Sequence, residues 1–204
     1  MRATAGEEID RPGARDDRDA TDDERPPDVR ADRRYARLCP RSAGLGIGVQ
    51  IAEVDDLERA LLAVASELQD SNPGRSIDCS VSIGRTIRCD RGRIQQLASN
   101  LLSNALRHGS SSHPVYFSAH IDDTDLVIQV ANRGTPIPPE SLARIFEPFW
   151  RHSMSASREG LGLGLHICAQ IVRAYAGRLD VDSTAASGTR FTARIPLLGT
   201  HAAG

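Results

Sequence analysis

The chain has 204 residues, 40% of them hydrophobic and 25% charged, with a formal net charge of -2 at pH 7. This length suits one domain of ordinary size with a tail. The near-neutral charge gives no electrostatic basis for binding nucleic acid or an acidic membrane surface. No apolar run approaches the roughly 18 residues that a membrane-spanning helix needs, and the N-terminus lacks the apolar centre of a secretory signal. We therefore expect a cytoplasmic protein without membrane contact.

All 25 basic residues are arginine. The absence of lysine excludes a P-loop and a eukaryotic-type protein kinase, both of which need a lysine on the nucleotide phosphates. It also excludes Schiff-base chemistry, which needs a lysine amine. The four cysteines form no C-x-x-C pair, so a zinc site has little support.

Composition divides the chain into three parts. Residues 1–48 begin with a run of acids and arginines that contains few branched aliphatic residues, and such a segment cannot offset its ordering entropy by burial. We predict that residues 1–48 form a disordered, charged tail or linker. Residues 49–198 form the ordered domain, and residues 199–204 are a short C-terminal tail.

Hydrophobic periodicity predicts the elements of the domain in chain order. Strands are expected at 49–54, 77–83, 115–121, 126–131, 178–182 and 190–195. Helices are expected at 57–68, 91–107, 140–145 and 165–176. Asp55 and Asp56 are predicted to cap the first helix, and Asp90 the second. Helices interleaved with largely antiparallel strands predict an α+β fold, with one sheet and helices packed on one face.

The second helix carries a polar row opposite its apolar face. Asn100, Asn104 and His108 are four residues apart and therefore share one side. Paired amide oxygens suit a hard cation such as Mg²⁺, which phosphate and water usually complete. Arg107 and His108, at the helix end, could contact phosphate oxygens. The alternative is an ordinary amphipathic helix with a solvated polar face.

Two segments follow in the connection after the fourth strand. Asn132 leaves a strand into a turn at Gly134, where a polar side chain could read a base edge; a plain strand-to-loop exit is the alternative. The segment Ile145–Trp150 is rich in large apolar residues. It is core, a loop anchor or a docking patch.

A run of alternating glycines, Gly160, Gly162 and Gly164, opens the last helix. Glycines let backbone N–H groups approach phosphate, and a helix N-terminus favours negative charge. A flexible hinge is the alternative interpretation.

In this order and spacing the four segments resemble the ATP-binding catalytic domain of sensor histidine kinases, within the Bergerat-type ATPase/kinase superfamily. Asn100–His108 resembles the N box of that family, Asn132–Ile137 its first glycine box, Phe146–Phe149 its F box, and Gly160–Gly164 its second glycine box. The resemblance covers about residues 49–198. It implies a two-layer α/β sandwich with a mixed, mostly antiparallel sheet and helices on one face.

The resemblance also implies ligands and roles for particular residues. ATP and Mg²⁺ would be the cofactors, with Asn104 as the main Mg²⁺ ligand and Asn100 assisting. Adenine would contact Asn132, Gly134 and Ile137. The phosphates would contact Arg107, His108, Gly160, Leu161, Gly162, Leu163 and Gly164. Residues 150–164 would form a lid over the nucleotide, held by Phe146 and Phe149.

The sequence departs from the family pattern in two features. Asn132 stands where the family usually has Asp, and a neutral hydrogen bond is about half as strong as a charge-assisted one; we expect weaker or retuned adenine binding. None of the six histidines lies in the phosphoacceptor setting of the family, His-Glu/Asp-x-x-x-Pro. The resemblance therefore implies transfer of the γ-phosphoryl group to a histidine on a partner or missing helical domain, and signalling onward to a response regulator.

Other functions in the superfamily are weighed on the same residues. Related hydrolases place Glu where Asn100 stands, and an amide cannot be the base that activates water. The remaining alternatives are an anti-sigma-type serine kinase and a catalytically silent nucleotide-binding scaffold.

Overall fold

The computed structural model describes residues 35–38, 47–150 and 161–197. Eight strands and four helices are found in these residues. The strands are β1 (Tyr35–Leu38), β2 (Ala52–Val54), β3 (Ile77–Ser82), β4 (Ile87–Cys89), β5 (Val115–Asp122), β6 (Asp125–Asn132), β7 (Arg178–Thr184) and β8 (Gly188–Pro196). The helices are α1 (Leu57–Asp70), α2 (Arg91–His108), α3 (Pro139–Leu142) and α4 (Gly164–Ala174).

Six strands form one mixed sheet in the order β1-β7-β8-β6-β5-β3. The pair β3–β5 is parallel, and the other pairs of this sheet are antiparallel. Strands β5 and β6 form a hairpin, with Asp122 opposite Asp125 at its turn. The predicted mixed, mostly antiparallel sheet is confirmed.

One hydrophobic core lies between this sheet and the helices α1, α2 and α4. Inward strand residues such as Phe117, Ile128 and Phe191 are at most 1% exposed, and they pack with Leu101 of α2 and Ile171 of α4. The alternate strand positions point away from this core, as the period-2 pattern predicts. The expected α+β fold with helices on one face is confirmed.

The first predicted strand is shorter than expected and lies in a different sheet. Only residues 52–54 are extended, and β2 pairs antiparallel with β4, which contains Ile87. This two-stranded sheet is separate from the main one. The alternating pattern identified extended backbone, but a pattern of period 2 does not say which strand will be the partner.

The two predicted helix caps behave differently. Asp90 caps α2, since its Oδ1 accepts the Arg93 N–H at 3.0 Å. Asp56 occupies the N-cap position of α1 but makes no cap hydrogen bond. Its carboxylate instead pairs with Arg59 and Arg91, whose hydrogen bonds hold the pKa of Asp56 below its usual value.

Strand β1 lies within the segment that was predicted to be disordered, so that prediction is wrong for residues 35–38. These residues pair antiparallel with the edge of the sheet, Tyr35 with Asp182 and Leu38 with Leu179. An edge strand offers unpaired backbone groups. A segment with few apolar side chains can therefore still join the sheet through backbone hydrogen bonds. The rest of the predicted tail, residues 1–34 and 39–46, lies outside the described residues, as do residues 151–160 and 198–204.

Among the helices that the structure describes, none combines the length and the apolar character that crossing a bilayer demands.

Candidate functional site

The polar face of α2 forms one wall of the candidate site. Leu97 and Leu101 are fully buried, whereas Asn100 and Asn104 are only partly buried. The helix thus presents its asparagines away from the core, as the four-residue spacing predicted. A capped, well-packed helix is a rigid support for a binding site.

Asn100 faces the first residue of α4. A Cβ atom added to Gly164 would lie 3.7 Å from Asn100 Oδ1. Asn100 Nδ2 is buried and has no hydrogen-bond partner among the described residues. The N-terminus of α4 also carries unpaired backbone N–H groups and a partial positive charge. The second glycine box and the N box therefore meet here, beside a buried polar atom of Asn100.

Asn132, the last residue of β6, lies near the other end of α2. Its side chain is largely buried, with a residue exposure of 6%, and Nδ2 donates to the carbonyl of Arg133 at 3.3 Å. Asn132 Oδ1 is then the atom left to accept a hydrogen bond from a ligand. A Cβ added to Gly109 would lie 3.0 Å from Asn132 Cβ, and one added to Gly134 would lie 2.8 Å from the His108 carbonyl oxygen. Gly134 therefore allows the first glycine box to approach the end of α2.

Asn104 lies between these two contacts. It is four residues from Asn100 on one side and four from His108 on the other, so the row spans roughly 12 Å at the helical rise per residue. The structure brings the N box together with both glycine boxes along this row. A nucleotide extended along α2 would place its base near Asn132 and its phosphates near Asn104 and Gly164.

Backbone contacts join the two segments that flank residues 151–160. The Phe149 N–H donates to the Gly162 carbonyl at 3.1 Å, and both residues have positive φ, 63° and 68°. Phe146 is buried and packs edge-to-face on Phe191, with ring centroids 6.5 Å apart. Phe146 thus packs into the core, and the Phe149–Gly162 bond joins the two flanking segments. The Phe149 side chain is 69% exposed, and the lid of residues 150–164 that Phe146 and Phe149 were expected to hold lies mostly outside the described residues.

The predicted phosphate-contacting residues are found in three settings. Arg107 and His108 are exposed at the end of α2. Neighbouring protein atoms nevertheless exclude part of the water from the His108 ring, and this desolvation lowers the pKa of His108. The charge of Arg107 lowers it further. Leu161 is 70% exposed, and Leu163 is the N-cap residue of α4. Gly160 lies outside the described residues.

Ile137 is held by a bond that the sequence did not predict. Its N–H donates to Ser183 Oγ at 2.9 Å, and Ser183 Oγ also lies 2.7 Å from Thr189 Oγ1. Both hydroxyl residues are buried. This pair attaches the first glycine box to β7 and β8. No local motif marks Ser183, because its partner lies 46 residues away.

Two further residues near the site have no recognisable sequence signal. His166 of α4 places Nδ1 3.0 Å from the carbonyl oxygen of Phe146, which joins the F box to the last helix. Arg75, in the turn before β3, donates from Nη1 to the Gly109 carbonyl at 2.9 Å. Both contacts join segments distant in the chain.

The amide side chains along α2 suit a magnesium ion that is bound together with phosphate better than a metal ion held by protein side chains alone. The described residues contain no cluster of three or more His, Cys, Asp or Glu side chains. Asn100 instead offers a buried amide atom without a partner, and rotating the amide by 180° would place its oxygen there. Mg²⁺ typically takes one or two protein oxygens and completes its shell with phosphate and water.

Comparison with known proteins agrees with this geometry. Residues 89–199 match the family model for the histidine kinase-, DNA gyrase B-, and HSP90-like ATPase. A bacteriophytochrome from Pseudomonas aeruginosa is 34% identical over 140 residues, which cover 67% of this chain and 19% of the relative. The sensor protein TorS of Escherichia coli is 33% identical over 157 residues, covering 74% and 17%. The chain thus spans less than a fifth of these two relatives.

Solved structures match over a similar region. Full-length ShkA in complex with AMPPNP superposes with a TM-score of 0.64 and 29% identity, covering 76% of this chain and 32% of that one. The catalytic domain of histidine kinase ThkA superposes with a TM-score of 0.60 and covers 72% of this chain and 95% of that one. At 24% identity the second likeness shows the fold alone. The implied Bergerat fold is confirmed by these superpositions.

The family model covers more than half of the chain and includes the N box, both glycine boxes and the F box. The chain therefore belongs to the histidine kinase-, DNA gyrase B- and HSP90-like ATPase family.

Proposed function

We propose that this domain binds Mg-ATP and donates the γ-phosphoryl group to a histidine on a helical domain, which belongs to another chain or to a longer form of this protein. The observation that supports the proposal is the convergence of both glycine boxes on α2. Gly164 lies beside Asn100, Gly134 lies beside His108, and Asn132 lies beside Gly109 just after the helix. The match of residues 89–199 to the histidine kinase-, DNA gyrase B-, and HSP90-like ATPase model supports nucleotide binding.

Asparagines of α2, Asn132 and the start of α4 have distinct parts in this proposal. Asn104, assisted by Asn100, would hold the magnesium ion, which supplies charge neutralisation at the β- and γ-phosphates when bound. Asn132 Oδ1 would accept from the adenine amino group. The N–H groups at the start of α4 would donate to phosphate oxygens. Phosphoryl transfer depends mainly on such positioning and electrostatics.

Transfer is favoured over hydrolysis because Asn100 carries an amide. An amide has no basic lone pair at neutral pH and cannot take a proton from an attacking water. The proposed acceptor is therefore a partner side chain and not water. A response regulator as the next acceptor, and the cytoplasm as the location, belong to the same proposal.

Asn104→Ala tests the magnesium site. We expect Mg²⁺-dependent ATP binding, measured by calorimetry on the full chain, to be abolished while the far-ultraviolet circular dichroism stays unchanged. Asn72→Ala is the matched control, since the Asn72 amide lies at the end of α1, where it donates to the Leu68 carbonyl at 2.7 Å. Unchanged affinity in Asn104→Ala would remove this residue from the site.

The transfer step is tested with γ-labelled ATP, Mg²⁺ and an isolated helical domain that carries a phosphoacceptor histidine. We expect acid-labile label on that domain, and none with Asn104→Ala. Acid-stable label on an anti-anti-sigma-like protein would instead identify a serine kinase. ATP binding without label on either protein would identify a nucleotide-binding scaffold.

A further inference from the structure

Arg75 lies behind the base end of the candidate site. Its Nη1 donates to the Gly109 carbonyl just after α2. Its Nη2 and the Cβ of Asn132 each lie 3.0 Å from the point that a Cβ on Gly109 would occupy. Arg75 therefore contacts the turn that follows the N box and lies beside the residue proposed to bind adenine.

Two nitrogen atoms of this guanidinium lack partners. Nε and Nη2 are buried and make no hydrogen bond with any described residue. No carboxylate in the described part of the chain pairs with Arg75. A buried donor without an acceptor costs free energy, and more so when the group is charged. The carbonyls at the end of α2 offset part of this cost through Nη1, but the other two nitrogens still require an acceptor.

The neutral residue beside it keeps this donor available. A carboxylate at position 132 would attract the adjacent guanidinium into an ion pair. Asn132 carries no charge, and its Nδ2 is already directed to the Arg133 carbonyl. The base end of the site therefore combines one available acceptor, Asn132 Oδ1, with the donors of Arg75.

We propose that Arg75 determines base specificity by donating a hydrogen bond, directly or through one water, to ring nitrogen N1 of adenine. This inference rests on the proposed function. Adenine presents an amino donor beside the N1 acceptor, which matches the Asn132 acceptor and the Arg75 donor. Guanine presents an oxygen acceptor beside an N1–H donor, the reverse arrangement. A site built for one pattern rejects the other because buried polar groups would remain unpaired.

The test compares ATP with two analogues on the full chain, by calorimetry in the presence of Mg²⁺. In the 1-deaza analogue, N1 is replaced by C–H; in purine riboside triphosphate, the amino group is absent. We expect the 1-deaza analogue to bind wild type about tenfold more weakly than ATP, since a buried donor loses its acceptor. In Arg75→Met the ratio of the ATP affinity to the 1-deaza affinity should fall to about one. The weaker binding of purine riboside triphosphate, which lacks the amino group, should persist. Arg190→Met, an exposed arginine on β8, is the control and should retain the wild-type ratio.

The outcomes separate this inference from the proposed function. If wild type binds ATP and the 1-deaza analogue equally, Arg75 does not read N1, although the nucleotide site stands. A tenfold ratio that survives in Arg75→Met would also overturn the inference. No ATP binding by wild type would overturn the proposed function and the inference together. The wild-type ratio needs no variant, so equal binding of ATP and the 1-deaza analogue overturns the inference even if Arg75→Met fails to fold.

Discussion

A partly buried guanidinium and a neutral amide lie side by side at the end of the site that we propose binds the base. The amide of Asn132 is oriented by its bond to the Arg133 carbonyl, and Arg75 is oriented by its bond to the Gly109 carbonyl. Each side chain is thus held by backbone before any ligand arrives. Such preorganisation reduces the entropy that binding would otherwise lose.

His108 provides a prediction about pH. Its pKa lies below the ordinary value of 6.5, so below that value the unfolded chain binds more protons than the folded one. Folding stability from this residue is then lost as the pH falls below 6.5. We expect His108→Gln to gain stability relative to wild type at about pH 5, compared with about pH 7.5, in urea denaturation.

His120→Gln, on an exposed position of β5, controls for the loss of an imidazole elsewhere. A difference between His108→Gln and wild type that is the same at both pH values would contradict the prediction.

At the scale of elements, the start of α4 combines two glycines with different requirements. Gly162 has a φ of 68°, and a Cβ there would lie 3.0 Å from the Trp150 carbonyl oxygen. Gly164 is helical, and its added Cβ would make only an ordinary contact with Asn100. Position 162 therefore requires glycine because of its positive φ. At position 164 a Cβ could be accommodated beside the N box.

Paired alanine substitutions test this difference. We expect Gly162→Ala to lower the free energy of unfolding by about 1–3 kcal/mol, because alanine is strained at that φ. Gly164→Ala should leave the unfolding free energy unchanged or raise it slightly, since alanine favours a helix. Urea denaturation measures both variants. Equal losses in the two would show that φ at Gly162 is not the constraint.

At the scale of the whole molecule, Asp90 connects three parts of the fold. Its carboxylate accepts from the Arg93 N–H at 3.0 Å and from the Gln50 N–H at 2.8 Å. Its own N–H donates to the Tyr175 hydroxyl at 2.7 Å. Burial raises the pKa of Tyr175 to about 12, so the phenol stays neutral at this junction. Asp90 thereby links α2, which carries the site, to the segment before β2 and to the end of α4.

Replacing Asp90 should therefore affect the stability of the whole domain. We expect Asp90→Ala to lower the free energy of unfolding by about 1–2 kcal/mol, the usual cost of losing an N-cap. Asp56→Ala is the matched control, because Asp56 makes no cap bond and its ion pairs with Arg59 and Arg91 are exposed. Such pairs contribute at most about 1 kcal/mol. Similar losses in the two variants, measured by urea denaturation, would contradict the role of Asp90.

The features that depend on local spacing could be predicted from the sequence. The shared face of Asn100, Asn104 and His108 follows from the helical period, and the cap at Asp90 follows from residue type and position. The alternation in β5 and β8 predicted which residues enter the core. Order and spacing of the four motifs were also sufficient to identify the family. The helical face, the cap and the alternation need only residues within a few positions of one another, and the family needs only the order of short motifs along the chain.

By itself, then, the sequence determined the elements, their apolar faces and the four motifs. Only the tertiary structure decided that β1 joins the sheet edge, that the Phe149 side chain points to solvent, and that Arg75 lies beside Asn132. Each of these depends on contacts between segments many residues apart. Such contacts are selected by packing and by the need to satisfy buried polar groups across the whole core, which no short-range pattern encodes.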